Sequence, residues 1–259
     1  MNTLLFLGTA AADYSAKLTG ECKDCFDRDA RRSSSALLNG RYLIDLGDHT
    51  LDSLRIAKVD QSAITDLFLT HLHSDHYNPA HIALFAKGRE GKLRVWVREG
   101  AAAELPQIEN VEWHTMRLGE KYTVDGALSV TGLMANHDQD VFPQHLLFET
   151  EGKRFLYALD GAWFVHSAFN ALINARLSLF VVDCTVGDRV GDYRIAEHNS
   201  IPMLRLMLPS CETMHVIDEN TKIYISHLAP CLHKKHDETV PLLREIGADV
   251  AYDGLTVAF

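Results

Sequence analysis

The residues best suited to chemistry are three histidines and an aspartate within the six residues HLHSDH, numbered 71–76. Imidazole nitrogens bind zinc, iron and manganese, and a carboxylate adds a hard, anionic ligand. Because four such side chains in one turn cannot all reach a single metal in good geometry, we expect two adjacent metals. His71 and His73 would bind one of them, and Asp75 and His76 the other. Two metals about 3.5–4 Å apart stabilise displacement at phosphorus or at a carbonyl carbon.

The elements that would position these residues are strands. The apolar residues 64–69 lead directly into the histidine-rich stretch, and their branched or aromatic side chains predict a short buried strand. Other predicted strands also end in residues of metal-binding type, which are Asp45, His137, Asp160 and His227. Since sites are commonly built at one edge of layered sheets, we expect these residues to meet there.

The pattern His-x-His-x-Asp-His resembles the signature of the metallo-β-lactamase fold superfamily, and the later strand-end residues follow in the order of that superfamily. The resemblance implies that His137 completes the first metal site, that Asp160 bridges both metals and that His227 completes the second. It also implies that Asp45 orients metal ligands from behind, as hydrogen-bonded carboxylates do in other metal sites. The implied fold is an α/β protein with a four-layer αββα sandwich, formed as a single domain by residues 1–259.

His198 precedes a predicted helix, residues 201–208, whose first N–H groups favour anions. It is therefore a candidate for contacting phosphate or protonating a leaving group. Together with the motif Cys22-x-x-Cys25 and a small-residue loop after the first strand, it resembles the phosphodiesterase that accompanies carbon–phosphorus lyase. That family cleaves cyclic phosphodiesters and is related to the tRNA 3′-processing nucleases. The resemblance implies a hydrolase that acts on a small phosphodiester.

A structural zinc is a second implication, because that family holds one with three N-terminal cysteines and a histidine after the last active-site histidine. Gly20 stands here where the third cysteine would be. The side chains that could still form a four-ligand zinc site are Cys22, Cys25, Cys231 and His233, with His236 as a spare candidate. We expect either a zinc with two ligands from each end of the chain or the loss of this zinc.

The predicted reaction uses two divalent metals, and the ligands leave open whether these are zinc, manganese or iron. The metals would lower the pKa of a bridging water, and the resulting hydroxide would attack phosphorus in line with the leaving oxygen. His198 and Asp75 are the predicted catalytic residues, with His198 as the donor of a hydrogen bond or proton. Three alternatives stay open: a thioester or lactone hydrolase on the same site, a tRNA 3′-processing-like nuclease, and a metal-binding module without catalysis.

The amino-acid composition limits which binding partners and which cellular compartment we expect for this protein. A net charge of −10 over 259 residues argues against nucleic acid as a partner, because binding a phosphate backbone needs lysine and arginine. It still allows a small phosphorylated substrate held by metals. No run reaches the ~18 apolar residues of a membrane span. The odd count of five cysteines and the lack of a basic segment before the apolar residues 1–8 predict a reducing, cytoplasmic location. A homodimer is left open.

Two further predictions concern segments near the site. Residues 249–259 predict a closing pair of strands across the turn Asp253-Gly254. Arg189 and Arg194 lie in a polar, glycine-containing segment and are interpreted as solvated side chains, with contact to an anion as the alternative.

Overall fold

Strands and helices follow one another along the whole chain, and a computed structural model describes them for all of residues 1–259. The strands are β1 (Thr3–Gly8), β2 (Ser35–Leu38), β3 (Tyr42–Ile44), β4 (Asp66–Phe68), β5 (Leu93–Arg98), β6 (Val111–Met116), β7 (Lys121–Thr123), β8 (Leu128–Met134), β9 (Gln144–Thr150), β10 (Lys153–Ala158), β11 (Leu179–Asp183), β12 (Lys222–Ser226), β13 (Asp249–Val250) and β14 (Thr256–Ala258). The α-helices are α1 (Thr50–Ile56), α2 (Pro79–Ala86), α3 (His166–Leu172), α4 (Ile201–Thr213) and α5 (His236–Arg244). None of the helices is both long enough and apolar enough to cross a membrane.

The strands form two seven-stranded mixed sheets. The first sheet has the order β14-β1-β2-β3-β4-β5-β6, and the second has the order β13-β12-β11-β10-β9-β8-β7. In the first sheet the strands from β3 to β6 are parallel, and in the second the strands from β10 to β13 are parallel. The remaining strands pair antiparallel with their neighbours. Each sheet therefore contains one block of parallel strands.

Helices connect the parallel strands and cover the outer face of each sheet, because parallel neighbours need a crossover connection. Leu54 of α1 and Ile82 and Phe85 of α2 pack in one buried cluster with outward-facing residues of the first sheet. Leu172 of α3 and Leu204 of α4 pack in another cluster with residues of the second sheet. The layers therefore run helix, sheet, sheet, helix, which confirms the predicted αββα sandwich.

The two sheets pack face to face on a shared apolar core. Phe6 and Phe68 of the first sheet and Phe148 and Phe155 of the second belong to one buried cluster. The rings of Phe68 and Phe148 meet edge-on across the interface, with their centroids 5.1 Å apart. Burying one such side chain contributes roughly 1.5–3 kcal/mol to stability. This core therefore fixes how the strand ends of one sheet face those of the other.

Several strands end in candidate site residues. Asp45 follows β3, Asp160 lies two residues after β10, and His227 follows β12. Their φ angles are 60°, 49° and 59°, which is the left-handed region. Residues with a side chain seldom adopt this conformation, and they keep it only where the surrounding structure holds them in it. The packed sheets thus hold these three side chains in place at some conformational cost.

The prediction of a closing strand pair across Asp253-Gly254 is wrong. β13 pairs with β12 in the second sheet, whereas β14 pairs with β1 in the first, so the segment between them passes from one sheet to the other. Asp253 is buried there, and its carboxylate accepts hydrogen bonds from Thr9 Oγ1 at 2.8 Å and from the Arg32 amide at 2.7 Å. Its partners are distant in sequence, which a local turn pattern cannot reveal.

Candidate metal centre

Three histidines form the first cluster of potential ligands. His71 and His73 come from the loop after β4, and His137 comes from the segment after β8. The Nε2 atoms of His71 and His137 lie 3.0 and 3.1 Å from Nδ1 of His73. Nitrogens from three rings therefore converge on one small volume, as the ligands of a single metal ion do.

Asp75, His76 and His227 form a second cluster beside the first. Nε2 of His76 lies 3.3 Å from Nε2 of His227. Oδ2 of Asp75 lies 3.3 Å from Nε2 of His76 and 3.5 Å from Nε2 of His227. Two imidazoles and one carboxylate again converge, and they come from opposite sheets of the sandwich.

Asp160 lies between the two clusters. Its Oδ2 is 2.8 Å from Nε2 of His76 and 3.0 Å from Nε2 of His227, and its Oδ1 is 3.8 Å from Nε2 of His137. Oδ2 is buried and accepts no hydrogen bond in spite of these approaches. Burying an anionic carboxylate oxygen without a hydrogen-bond partner costs free energy, unless a cation binds to it. The residues present therefore fit a pair of metal ions that share Asp160.

The charges of these groups suit cation binding. Burial alone would raise the pKa of Asp160, but His227 and His76 outweigh burial and hold that pKa well below its usual value. Asp75 behaves in the same way, with His76 as its main charged neighbour. Burial lowers the pKa of His71 well below the ordinary histidine value. Anionic carboxylates and neutral imidazoles are the protonation states that metals bind. Asp160 outweighs burial and raises the pKa values of His76 and His227 well above the usual histidine value, so a metal would displace a proton from each of these rings.

Asp45, predicted to lie behind the ligands, contacts His76. Its Oδ2 is 2.8 Å from Nδ1 of His76, and its Oδ1 accepts a 2.8 Å hydrogen bond from the Thr70 amide. Thr70 Oγ1 in turn lies 3.0 Å from Nδ1 of His71. Because Nδ1 of each ring is engaged from behind, Nε2 is the nitrogen that faces the cluster. This is the arrangement by which carboxylates orient metal-binding histidines.

Asp183 plays the same role in the second sheet, where its carboxylate contacts Nδ1 of potential metal-binding histidines. The sequence analysis missed this residue. Its Oδ2 lies 3.2 Å from Nδ1 of both His198 and His227, and its Oδ1 accepts a 2.7 Å hydrogen bond from the Asn199 amide. Thr185 Oγ1 adds a contact of 2.7 Å to Nδ1 of His227. The signal for Asp183 was present, because it ends a buried strand just as Asp45 does.

His198 adjoins the ligand clusters. His198, His137 and Asp160 lie close enough together to form a further set of potential metal ligands. Nδ1 of His198 lies 3.9 Å from Oδ1 of Asp160. Burial opposes protonation of the ring, but Asp183 and then Asp160 outweigh it and raise the pKa of His198 above its ordinary value. With Nδ1 facing Asp183, Nε2 is the nitrogen left for the cavity. His198 is thus poised to carry a proton beside the clusters.

A cavity of about 480 Å³ opens above the clusters. Besides His73, Asp75, His137, Asp160, His198 and His227, it is lined by Ala11, Ala12, Asp13, Ser74, Thr185, Arg194, Glu197, Ala229 and Cys231. The small-residue loop after β1 therefore does lie beside the site. Arg194 lines the cavity, while Arg189 donates a 3.2 Å hydrogen bond to the Cys231 carbonyl.

The structure does not bring the proposed structural-zinc ligands together, and no cluster of potential ligands contains a cysteine. Cys231 lies at the cavity, where its amide donates a 3.0 Å hydrogen bond to Asp13. Nε2 of His233 is 2.5 Å from the Cys184 carbonyl, and Nδ1 of the spare candidate His236 is 3.0 Å from Arg31 Nη2. His233 and His236 therefore have protein partners other than the cysteines.

An arginine organises the cysteine loop instead. Arg32 is only 2% exposed, and its guanidinium donates to the carbonyls of Cys22 at 2.6 Å, Cys25 at 3.0 Å and Lys23 at 3.3 Å. It also lies over the Phe26 ring at 5.5 Å. A planar guanidinium can satisfy several carbonyls at once. The loop is therefore closed by hydrogen bonds to backbone oxygens.

Replacing Arg32 with methionine should lower the free energy of unfolding by about 2–4 kcal/mol, because the loop carbonyls lose a charged donor. Urea denaturation monitored by circular dichroism measures this. Arg244→Met, at an exposed position of α5, is the control and should change stability little.

Cys22→Ala/Cys25→Ala should keep the zinc content of the wild type. The loss of one zinc per chain in that variant would contradict this account.

The chain belongs to the β-lactamase superfamily, since the family model described as "Beta-lactamase superfamily domain" matches residues 41–252. This range contains every residue of the two clusters together with Asp45, Asp160, Asp183 and His198. The predicted membership of the metallo-β-lactamase fold superfamily is confirmed. No curated protein matches the sequence significantly.

Solved structures share the fold over nearly the whole chain. The metallo-β-lactamase fold protein YhfI from Bacillus subtilis has a TM-score of 0.74 at 15% identity, covering 99% of this chain and 98% of that one. Zn²⁺-bound PqqB from Methylobacterium extorquens has a TM-score of 0.74 at 16% identity, covering 99% and 100%. A diphosphatase from the PhnP family has a TM-score of 0.72 at 17% identity, covering 100% and 98%. At these identities the likeness shows the fold.

Proposed function

We propose that this protein is a metal-dependent phosphodiesterase that hydrolyses small phosphodiesters, cyclic ones included. The observation that carries the proposal is the meeting of two three-residue ligand clusters at Asp160, with His198 beside them. A paired metal site clamps both the attacking and the leaving oxygen of a displacement at phosphorus. The PhnP-family neighbour, described as a diphosphatase, supports a substrate that contains phosphorus.

The proposed ligands are His71, His73 and His137 for one ion, Asp75, His76 and His227 for the other, and Asp160 for both. Nitrogen and carboxylate ligands of this kind suit zinc, manganese and iron. Such ions, when bound, lower the pKa of coordinated water and polarise phosphoryl oxygens.

The chain's own residues hold the site ready. Asp45 and Asp183 engage Nδ1 of His76 and His227, so that Nε2 of each ring points at Asp160. This fixes the tautomer of both histidines before any substrate arrives. Asp160 remains anionic between them, because the neighbouring histidines hold its pKa well below the usual range.

His198 is the proposed proton donor. Asp183 engages Nδ1 of His198, which leaves Nε2 for the leaving oxygen in the cavity, and the same carboxylate outweighs burial and raises the pKa of the ring. An alkoxide needs a proton when its bond to phosphorus breaks, whereas a thiolate leaves readily without one, since thiols have a pKa near ~8.5. The donor therefore favours an oxygen ester over a thioester as the substrate.

A substrate panel tests the proposal. Enzyme loaded with zinc or manganese should hydrolyse bis-p-nitrophenyl phosphate and a nucleoside 2′,3′-cyclic phosphate, with kcat/KM at least about tenfold above that for thioesters and lactones. Chelation should abolish this activity, and added metal should restore it. Hydrolysis of thioesters or lactones with none of either diester would contradict the proposal. Cleavage of precursor tRNA alone would instead favour the processing nuclease.

A further inference from the structure

Apart from the proposed metal ions, the cavity above the clusters is poor in free positive charge. Arg194 is the only lysine or arginine among its lining residues. Its guanidinium is already paired with Asp192, through Nε to Oδ1 at 2.8 Å and Nη2 to Oδ2 at 2.8 Å. This two-pronged pairing lowers the pKa of Asp192 to about 2. The arginine charge is thus largely balanced before a substrate enters.

Two carboxylates that belong to neither ligand cluster also line this cavity. Oδ2 of Asp13 accepts the Cys231 amide at 3.0 Å, whereas Oδ1 of Asp13 has no hydrogen-bond partner. Oε2 of Glu197 lies 4.0 Å from Nδ1 of His137, and its side chain is half exposed. Asp13 and Glu197 therefore add two negative charges to the cavity wall.

We propose that Asp13 and Glu197 determine which diesters this cavity accepts, an inference that rests on the phosphodiesterase function above. Lysine and arginine are the side chains that bind a second phosphate most strongly, and the cavity offers no unpaired one. Asp13 and Glu197 would repel it, because like charges near a protein surface still repel each other across several ångströms. Hydroxyl or amino groups, in contrast, can donate to these carboxylates. The substrate class is a diester whose remaining groups are uncharged or cationic.

A matched pair of chromogenic diesters tests this inference. Thymidine 5′-(p-nitrophenyl phosphate) carries a free 3′-hydroxyl, and its 3′-phosphorylated derivative differs only by the second phosphate. The wild type should show kcat/KM about tenfold lower for the 3′-phosphorylated compound at low ionic strength. The difference in kcat/KM should shrink to about threefold near 0.5 M salt, because salt then screens the repulsion between charges more than a few ångströms apart.

Variants identify the residues responsible. In Asp13→Asn/Glu197→Gln the ratio of the two kcat/KM values should fall to about twofold at low salt, since the repelling charges are gone. Each single variant should lie between the double variant and the wild type. Glu212→Gln, at an exposed position of α4 remote from the cavity, is the matched control and should keep the wild-type ratio.

The outcomes separate this inference from the proposed function. Equal or faster hydrolysis of the 3′-phosphorylated compound, or a ratio unchanged in the double variant, would overturn the roles of Asp13 and Glu197. Hydrolysis of bis-p-nitrophenyl phosphate with neither thymidine diester would also overturn the inference, because the cavity would then reject an uncharged sugar. Failure to hydrolyse any diester, with metals bound, would overturn the phosphodiesterase function itself.

Discussion

Replacing Asp160 with asparagine should lower kcat/KM for bis-p-nitrophenyl phosphate by at least about a thousandfold, because both ligand clusters lose their shared carboxylate. The metal content should fall as well. Asparagine has nearly the same shape and tolerates the left-handed conformation, φ 49°, that this position requires. The variant should therefore keep its fold, and the loss can be assigned to the missing negative charge.

Steady-state kinetics and elemental mass spectrometry on the same preparations measure both effects. Asp52→Asn, on the exposed side of α1, is the control and should keep wild-type activity and metal content. Circular dichroism verifies that Asp160→Asn is folded. Wild-type metal content together with activity within about tenfold of the wild type would contradict the shared-carboxylate account.

Replacing His198 with alanine should lower kcat for a nucleoside 2′,3′-cyclic phosphate by about a hundredfold, the lower range for loss of a general acid. The metal content should not change, since His198 is not among the proposed ligands. The loss should be smaller for bis-p-nitrophenyl phosphate, because p-nitrophenolate leaves without needing a proton. A purely structural role would reduce both rates by a similar factor.

The comparison of the two leaving groups is the deciding measurement for His198. His166→Ala, at an exposed position of α3, serves as the matched histidine control and should leave both rates unchanged. A kcat within about threefold of the wild type on the cyclic phosphate would rule out proton donation by His198. Equal losses on both substrates would assign it to positioning instead.

The sequence by itself indicated which residues to consider. The HLHSDH stretch and the strand-end residues Asp45, His137, Asp160 and His227 could be found because strands have a short, regular apolar pattern and polar residues interrupt it where each strand ends. The αββα sandwich was implied by the family resemblance that these residues carry, and the alternation of predicted strands and helices agrees with that layered arrangement. His198 was found from its position before α4.

The tertiary structure alone decided how distant segments meet. The contacts of Asp183 with His198 and His227, the insertion of Arg32 among the carbonyls of the cysteine loop, and the separation of β13 and β14 into different sheets all join residues far apart in the chain. Local patterns report the preferences of a short segment. Which buried polar group satisfies which partner depends on the packing of both sheets, because every buried donor or acceptor must find its partner within that one arrangement.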